Sequence, residues 1–206
     1  MPSALAREPR GRPRQARAQQ RMERILDAAR EELALQPPEA IRADAIAERA
    51  GVPVGSLYQY FDGKNALLAA VAEIIMAEAD AALAQVLSSC LEVPWRDAVD
   101  RMLDATFDHY RDSPHYRSLL RSLRSTPEFN AVAEASNRRV EELLALHPGF
   151  ARAGIPRDQV RVICRTLVTA SNALQDRMLS EPRAEFEIWR EEARRLVKGY
   201  LSVYLG

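Results

Sequence analysis

The sequence predicts an all-α chain of about nine helices, with a compact three-helix head joined by a long helix to a C-terminal helical bundle. Three observations carry this. Beyond a basic N-terminal arm, apolar residues recur at i, i+3, i+4 and i+7. No run alternates β-branched and polar residues as a half-buried strand would. Prolines and glycines cut the rest into helix-length pieces.

The first helix is expected from about Gln19 to Leu35, with Met22, Ile25, Leu26, Ala29 and Leu33 as its apolar stripe. Pro37 and Pro38 stop it, because proline cannot continue a helix and disfavours one in its predecessor. A short helix over Ala43–Ala50 turns Ile46 and Ala47 inward and ends at Gly51, where a left-handed turn fits. A third covers Val54–Tyr60. Asp62 and Gly63 then break the chain before a long helix from near Lys64, with Leu67, Leu68, Val71, Ile74 and Ile75 on one face. Further helices are expected at Pro94–Arg111, Pro114–Ser125, Pro127–Leu146, Pro156–Ser180 and Arg183–Leu205, several opening with proline, whose missing N–H costs nothing there. The organisation is a basic disordered arm (1–18), a head (19–66) and a bundle (67–206).

The 206 residues carry no net charge, but the charge is unevenly placed. Residues 1–24 hold seven arginines against two glutamates, a local +5 that the remaining residues balance with −5. A basic arm on an acidic body fits an end that meets an acidic partner; a solvated tail is the alternative. Cys90 and Cys164 are expected as free thiols in a reducing, cytoplasmic compartment, since no charged-then-apolar signal opens the chain. The most apolar stretch, residues 66–76, is about half a membrane span and contains Glu73, so no membrane partner is expected.

Residues 50–61, "AGVPVGSLYQYF", pose the functional question. Two short helices joined by a glycine turn are the geometry of a helix-turn-helix, whose second helix enters the DNA major groove. Val54, Gly55 and Ser56 are small enough to let that helix approach bases and phosphates. Leu57 faces the head, and Tyr58, Gln59 and Tyr60 offer groups for phosphate or base edges. Lys64 adds a cation beside the first N–H groups of the long helix. Leu57, Tyr58 and Phe61 also fit a plain core role, which is preferred for Phe61, while the Tyr58 ring can pack with its hydroxyl wet.

"ILDAAREEL" at 25–33 and "IAERAGVPVGSLYQYFDGKNALLAAV" at 46–71 resemble the tetracycline-repressor (TetR) family of bacterial transcriptional regulators, a likeness spanning about residues 20–75. The resemblance implies a homodimer, one head per subunit on half of a near-palindromic double-stranded operator, and a body whose pocket binds a small-molecule effector. It implies major-groove positions at Val54, Gly55, Ser56 and Tyr58, and phosphate contacts at Tyr60 and Lys64. Pro37 and Pro38 stand where the family has glycine and an aromatic, and Ile41 and Arg42 where it has threonines. Asn65 replaces its usual acidic residue. Arg42 cannot cap a helix with an acceptor, so a phosphate contact is expected of it instead.

"PRGRPR" at 9–14 resembles the core of an AT-hook, an extended segment that would lay Arg12 and Arg14 in a narrow minor groove. In the last two helices apolar residues occupy more than one face, among them Val162, Val168, Leu196, Val197 and Tyr204. A lone subunit would cover one face, and the family resemblance places the homodimer bundle here. The expected effector pocket draws on Phe107, His109, Tyr110, Tyr116, Phe129, Asn137, Thr169 and Asn172, aromatics with a few convergent polar groups.

No cofactor is expected, and no catalytic constellation: there is no phosphate-cradling glycine loop and no supported Ser/His/Asp set. Asp104 and Asp108 read as a solvated stripe beside His109 and His115. The expected function is a ligand-responsive repressor released from its operator by an apolar or amphipathic effector. The alternatives are a metal- or redox-responsive regulator using His109, His115 or Cys164, and a helical interaction protein without specific DNA binding.

Overall fold

The computed structural model describes residues 12–113, 116, 119, 126–180 and 185–206, with backbone only for residues 12–16, 110, 179 and 180. Two compact units emerge, Met1–Val71 and Ala72–Gly206, and the division falls inside a helix.

In the first unit α1 runs from Arg12 to Leu35 and opens seven residues before the expected start. Pro13 stands in its first turn, where helices tolerate proline. The "disordered arm" is therefore helical from Arg12 onward, and an extended AT-hook through Arg12 and Arg14 is not what forms; residues 1–11 lie outside the described residues. Ile25, Ala29 and Leu33 form a fully buried seam against α2, Ala43–Ala50, whose inward residues are Ile46, Ala47 and Ala50. Between them the Pro37-Pro38 turn is closed by N–H donation from Ala40 to Pro37 (3.0 Å) and from Ile41 to Pro38 (3.3 Å), and Ile41 is buried beneath it.

Gly51 ends α2 in the left-handed region at φ 65°, which an L-residue enters at a cost of about 1–2 kcal/mol. From there the Gly51 N–H donates to Glu48 O (3.1 Å) and the Val52 N–H to Ala47 O (3.0 Å), satisfying carbonyls that the helix end would leave open. The third element is a 3-10 helix, Val54–Gln59, rather than an α-helix. Its first turn closes when Ser56 N–H donates to Pro53 O at 2.8 Å. α3 follows from Gly63 to Cys90; its start belongs to the first unit and the remainder to the second.

The second unit is built from the rest of α3 with α4 (Trp95–Asp112), α5 (Pro127–Leu144), α6 (Pro148–Arg152), α7 (Arg157–Ser180) and α8 (Phe186–Leu205). α5 packs on α7, and α8 packs on α4, α6 and α7. Tyr116 and Leu119 are helical and buried; the other residues of the expected helix 114–125 lie outside the described residues. The helix expected to reach Leu146 stops at Leu144, and α6 is an addition to the expected helices. His147 caps α6, its Nδ1 accepting the Gly149 N–H at 3.2 Å. A Cβ on Gly149 would come within 2.9 Å of that nitrogen, so the tight cap requires glycine. Among the described residues no strand occurs.

Asp104 and Asp108 are not a solvated stripe. Asp100, Asp104 and Asp108 stand every four residues on α4, and Arg190, Arg194 and Lys198 stand every four residues on α8, so the antiparallel pair matches them rung by rung. Lys198 Nζ donates to Asp100 at 2.7 Å, Arg194 pairs with Asp104, and Arg190 bridges Asp104 (2.7 Å) and Asp108 (3.1 Å). Arg190 is 9% exposed, and at this burial removing one partner of an ion pair costs far more than at a surface pair.

Candidate nucleic-acid interface and internal cavity

The 3-10 helix has two sides. Ser56 and Leu57 are buried, while Val54, Gly55, Tyr58 and Gln59 are exposed. Tyr58 is 56% exposed, a large aromatic that the head does not cover. Gly55 has no positive φ, and a Cβ added there would meet nothing within 4 Å. The fold therefore has no need of glycine at this position, and its bare backbone leaves room for an approaching partner. The element is rigidly mounted: Gly51 fixes the turn before it, and Leu57, 2% exposed, anchors its inner side.

In the second unit α3, α4, α5, α7 and α8 surround a cavity of about 560 Å³, within the range of small-molecule sites. Its lining is mostly aliphatic and aromatic, with Trp95, Phe107, His109, Tyr116, Asn137 and Asn172 among it.

A family model described as "Tetracyclin repressor-like, C-terminal domain" matches residues 94–201, and one described as "Bacterial regulatory proteins, tetR family" matches residues 25–71. The chain belongs to the TetR family. No curated protein matches it. Among solved structures, a TetR-family transcriptional regulator from Streptomyces coelicolor is similar at 27% identity and a TM-score of 0.69, covering 90% of this chain and 99% of its own. A transcriptional regulator from Cytophaga hutchinsonii shares the fold at 18% identity and a TM-score of 0.69, covering 89% of this chain and 98% of its own. The fatty acid degradation regulator FadR from Bacillus halodurans does so at 17% identity and a TM-score of 0.59, covering 90% and 95%. TetR-family proteins are DNA-binding transcriptional regulators, and the exposed helix-turn-helix is the part of this chain that has that form.

Within this TetR-family head the expected contact residues divide. Val54, Gly55 and Tyr58 stand open, and Tyr60 is half-buried. Ser56, expected to face the groove, is 7% exposed: its N–H closes the first turn, which draws a one-carbon side chain in beside Leu57. Lys64 is half-buried and its ammonium donates to Pro38 O (3.1 Å) and Ile41 O (2.8 Å). Two of its three protons thus tie the start of α3 to the loop before α2, a tether that spacing alone does not reveal. Arg42 stands at the N-cap of α2 without capping it and lies in an exposed pair with Asp44, Nε to Oδ1 at 3.0 Å. That partner holds the Arg42 pKa above its ordinary value, first through the hydrogen bond. Asp44 also accepts the Ala45 N–H at 3.0 Å at the start of the helix. Arg12 and Arg14 are within α1.

Of the residues expected at the effector pocket, Phe107, His109, Tyr116, Asn137 and Asn172 line the cavity. Phe129 does not: it is 1% exposed in the neighbouring core. On α5 the lining stripe is Asn130, Ala133, Glu134, Asn137, Val140 and Leu144, and Phe129 lies beside it with the core residues Val132 and Ser136, of which Ser136 also reaches the cavity. Thr169 is exposed, because Leu167, Val168, Ser171, Asn172, Gln175 and Asp176 are the α7 residues that line the cavity. The Tyr110 side chain lies outside the described residues.

Polar order inside the cavity is specific. Asp80 accepts from Ser136 Oγ (2.7 Å) and Arg139 Nε (2.8 Å), and Asn172 Nδ2 donates to Asn137 Oδ1 at 2.9 Å. The His109 ring stands edge-on to Tyr116 at 4.9 Å. Burial lowers the His109 pKa against the opposing pull of Glu78 and Asp112, and burial raises that of Tyr116. His147, at another part of the lining, likewise has its pKa lowered by burial, with the Cys90 carbonyl opposing. Cys164 is buried and its thiol is pushed up to about 12, chiefly by burial, which removes the thiolate that redox sensing uses. Asp104 and Asp108, named beside His109 in the sequence, are engaged by Arg190 and Arg194, and His115 lies outside the described residues.

Proposed function

We propose that this protein is a homodimeric, effector-released repressor that binds a near-palindromic operator. The observation that carries it is the outer side of the 3-10 helix, where Val54, Gly55 and Tyr58 serve no packing role yet sit on a capped, anchored support. In this reading their side enters the major groove, and Tyr60, the remaining proton of Lys64, and Arg42 after exchange of Asp44 for a phosphate hold the backbone. Arg17, Arg21 and Arg24, exposed at i, i+4 and i+7 on α1, extend the positive surface, and the Arg24 guanidinium lies over the Gly51 turn.

The dimer forms through α7 and α8. Val160, Ile163, Leu167 and Val168 of α7 turn inward, as do Ala193 and Val197 of α8, while Val162, Ile188, Leu196 and Val203 remain exposed. A second copy burying the same outward faces is an isologous, two-fold contact. The cavity receives the effector, which releases DNA by favouring a head arrangement that does not fit the operator.

Fluorescence anisotropy on a labelled duplex from the region upstream of its own gene, competed with unrelated duplex at two salt concentrations, tests this reading. Binding that unrelated DNA cannot displace, and that an effector abolishes, is the expected result. Binding displaced equally by any duplex, both there and in a genome-wide selection of bound fragments, would leave a helical protein without an operator.

A further inference from the structure

The two sides of the body cavity differ in chemistry. α3, α4 and α8 contribute chiefly hydrocarbon, as at Leu83, Met102 and Val197, with Asp80 engaged by Ser136 and Arg139 and His109 against Tyr116 as polar exceptions. α5 and α7 contribute amides, Asn130, Asn137, Asn172 and Gln175. Gln175 is 9% exposed and is among the residues that line the cavity.

The Asn172–Asn137 bond leaves two N–H donors on Asn137 and, on Asn172, one N–H and the carbonyl acceptor without a partner among the described residues, so the bonded pair still offers both donor and acceptor. Reversing both amides leaves the same donor and acceptor. The complement of that edge is a group with an adjacent carbonyl and N–H. The carboxylate of Glu134 lines the same side and opposes an anion. A compact ammonium would meet that carboxylate but leave the Asn137 donors unmatched.

Resting on the reading of this cavity as the effector site, we propose that the effector is a neutral amphipathic molecule. It presents a carboxamide or lactam edge to Asn137, Asn172 and Gln175 and its hydrocarbon face to α3, α4 and α8.

The test uses a matched ten-carbon series: decanamide, decanoate, 1-decanol and decylammonium. Trp95 lies in the cavity wall, and in the full-length protein carrying Trp189→Phe it is the sole indole emitter. The amide is expected to bind about tenfold or more tightly than the other three. Asn137→Leu with Asn172→Leu should reduce the amide to the affinity of the alcohol while leaving the alcohol's own affinity in place. Gln175→Leu, which leaves the Asn137–Asn172 bond between α5 and α7 intact, should narrow the preference as well. Decanoate or decylammonium binding as tightly as decanamide would overturn the proposal, and so would a preference unchanged in all these folded variants. If none of the four changes Trp95 emission or raises the melting temperature, the cavity reading itself falls, and the charge preference falls with it.

Discussion

The two units of this protein are held together over different distances along the chain. In the first, the side-chain bonds that link elements join residues close in sequence: Arg49 to Glu31 and Glu32, and Lys64 to Pro38 and Ile41. In the second, Arg165–Glu141 and Asn172–Asn137 span 24 and 35 residues, but Ser136 reaches Asp80 across 56 residues, and the ladder joins Asp100, Asp104 and Asp108 to Lys198, Arg194 and Arg190 at separations of 98, 90 and 82 residues. A short-range head can be specified by a compact motif, because each turn and cap acts within a few residues. The body's interior depends on which faces of distant helices meet, and many sequences meet that condition. This accounts for a head that reads as a compact motif over residues 25–71, whereas the body, which matches a family model over residues 94–201, builds its cavity from contacts between distant helices.

Both tryptophans, Trp95 and Trp189, belong to the second unit, so urea unfolding read by fluorescence follows the body while circular dichroism follows both. The largest expected effect is in the ladder: Arg190→Ala should lower body stability by about 1–3 kcal/mol, since it strips a buried guanidinium from two half-exposed carboxylates. A loss below about 0.5 kcal/mol would show that the rungs are ordinary surface pairs. Gly51→Ala should cost the head about 1–2 kcal/mol through its positive φ, with the fluorescence transition unmoved. A shift in both transitions would mean that the units unfold together and that the division at Val71 has no energetic counterpart.

A smaller effect comes from pH. His147 has its pKa lowered by burial in the folded body, so below about pH 6.5 the unfolded chain binds more protons and stability falls as pH falls. His147→Asn keeps an acceptor for the Gly149 N–H and removes the titration, and should flatten the body's stability between about pH 7.5 and 5.5. An unchanged slope would assign the acid sensitivity elsewhere, with His109 the next group shifted in the same direction. The smallest change in stability belongs to Tyr58→Ala, within about 0.5 kcal/mol for an exposed side chain, while operator affinity should drop about tenfold or more. A stability loss without an affinity loss would make Tyr58 a packing residue after all.

The head is legible because its punctuation is chemical. Pro37-Pro38 fix the backbone where they stand, Gly51 and Gly63 permit the left-handed turns at φ 65° and 92° that other residues enter at a cost, and α2 runs over the expected residues. The differences there are in side-chain direction. Ser56 turns inward because the third element winds as a 3-10 helix, and Lys64 is taken up by two carbonyls on a loop 23 and 26 residues away. In the body, five of the residues expected at the pocket line it, whereas Phe129 and Thr169 miss by a step around their helices. A signal for the ladder is present in the matched four-residue spacing of acids on α4 and bases on α8, but only a known antiparallel pairing gives that match meaning.

By itself the sequence determined the all-helical class, the order and punctuation of the helices, and the motif that places this chain in the TetR family. These follow from local propensities and from turns that act within one or two residues of their cause. Tertiary structure alone decided the amide-lined side of the cavity, the charge ladder and the tether at Lys64. Each depends on helices brought together from separate parts of the chain, where a rotation of one residue, about 100°, exchanges a lining side chain for a core or solvent one.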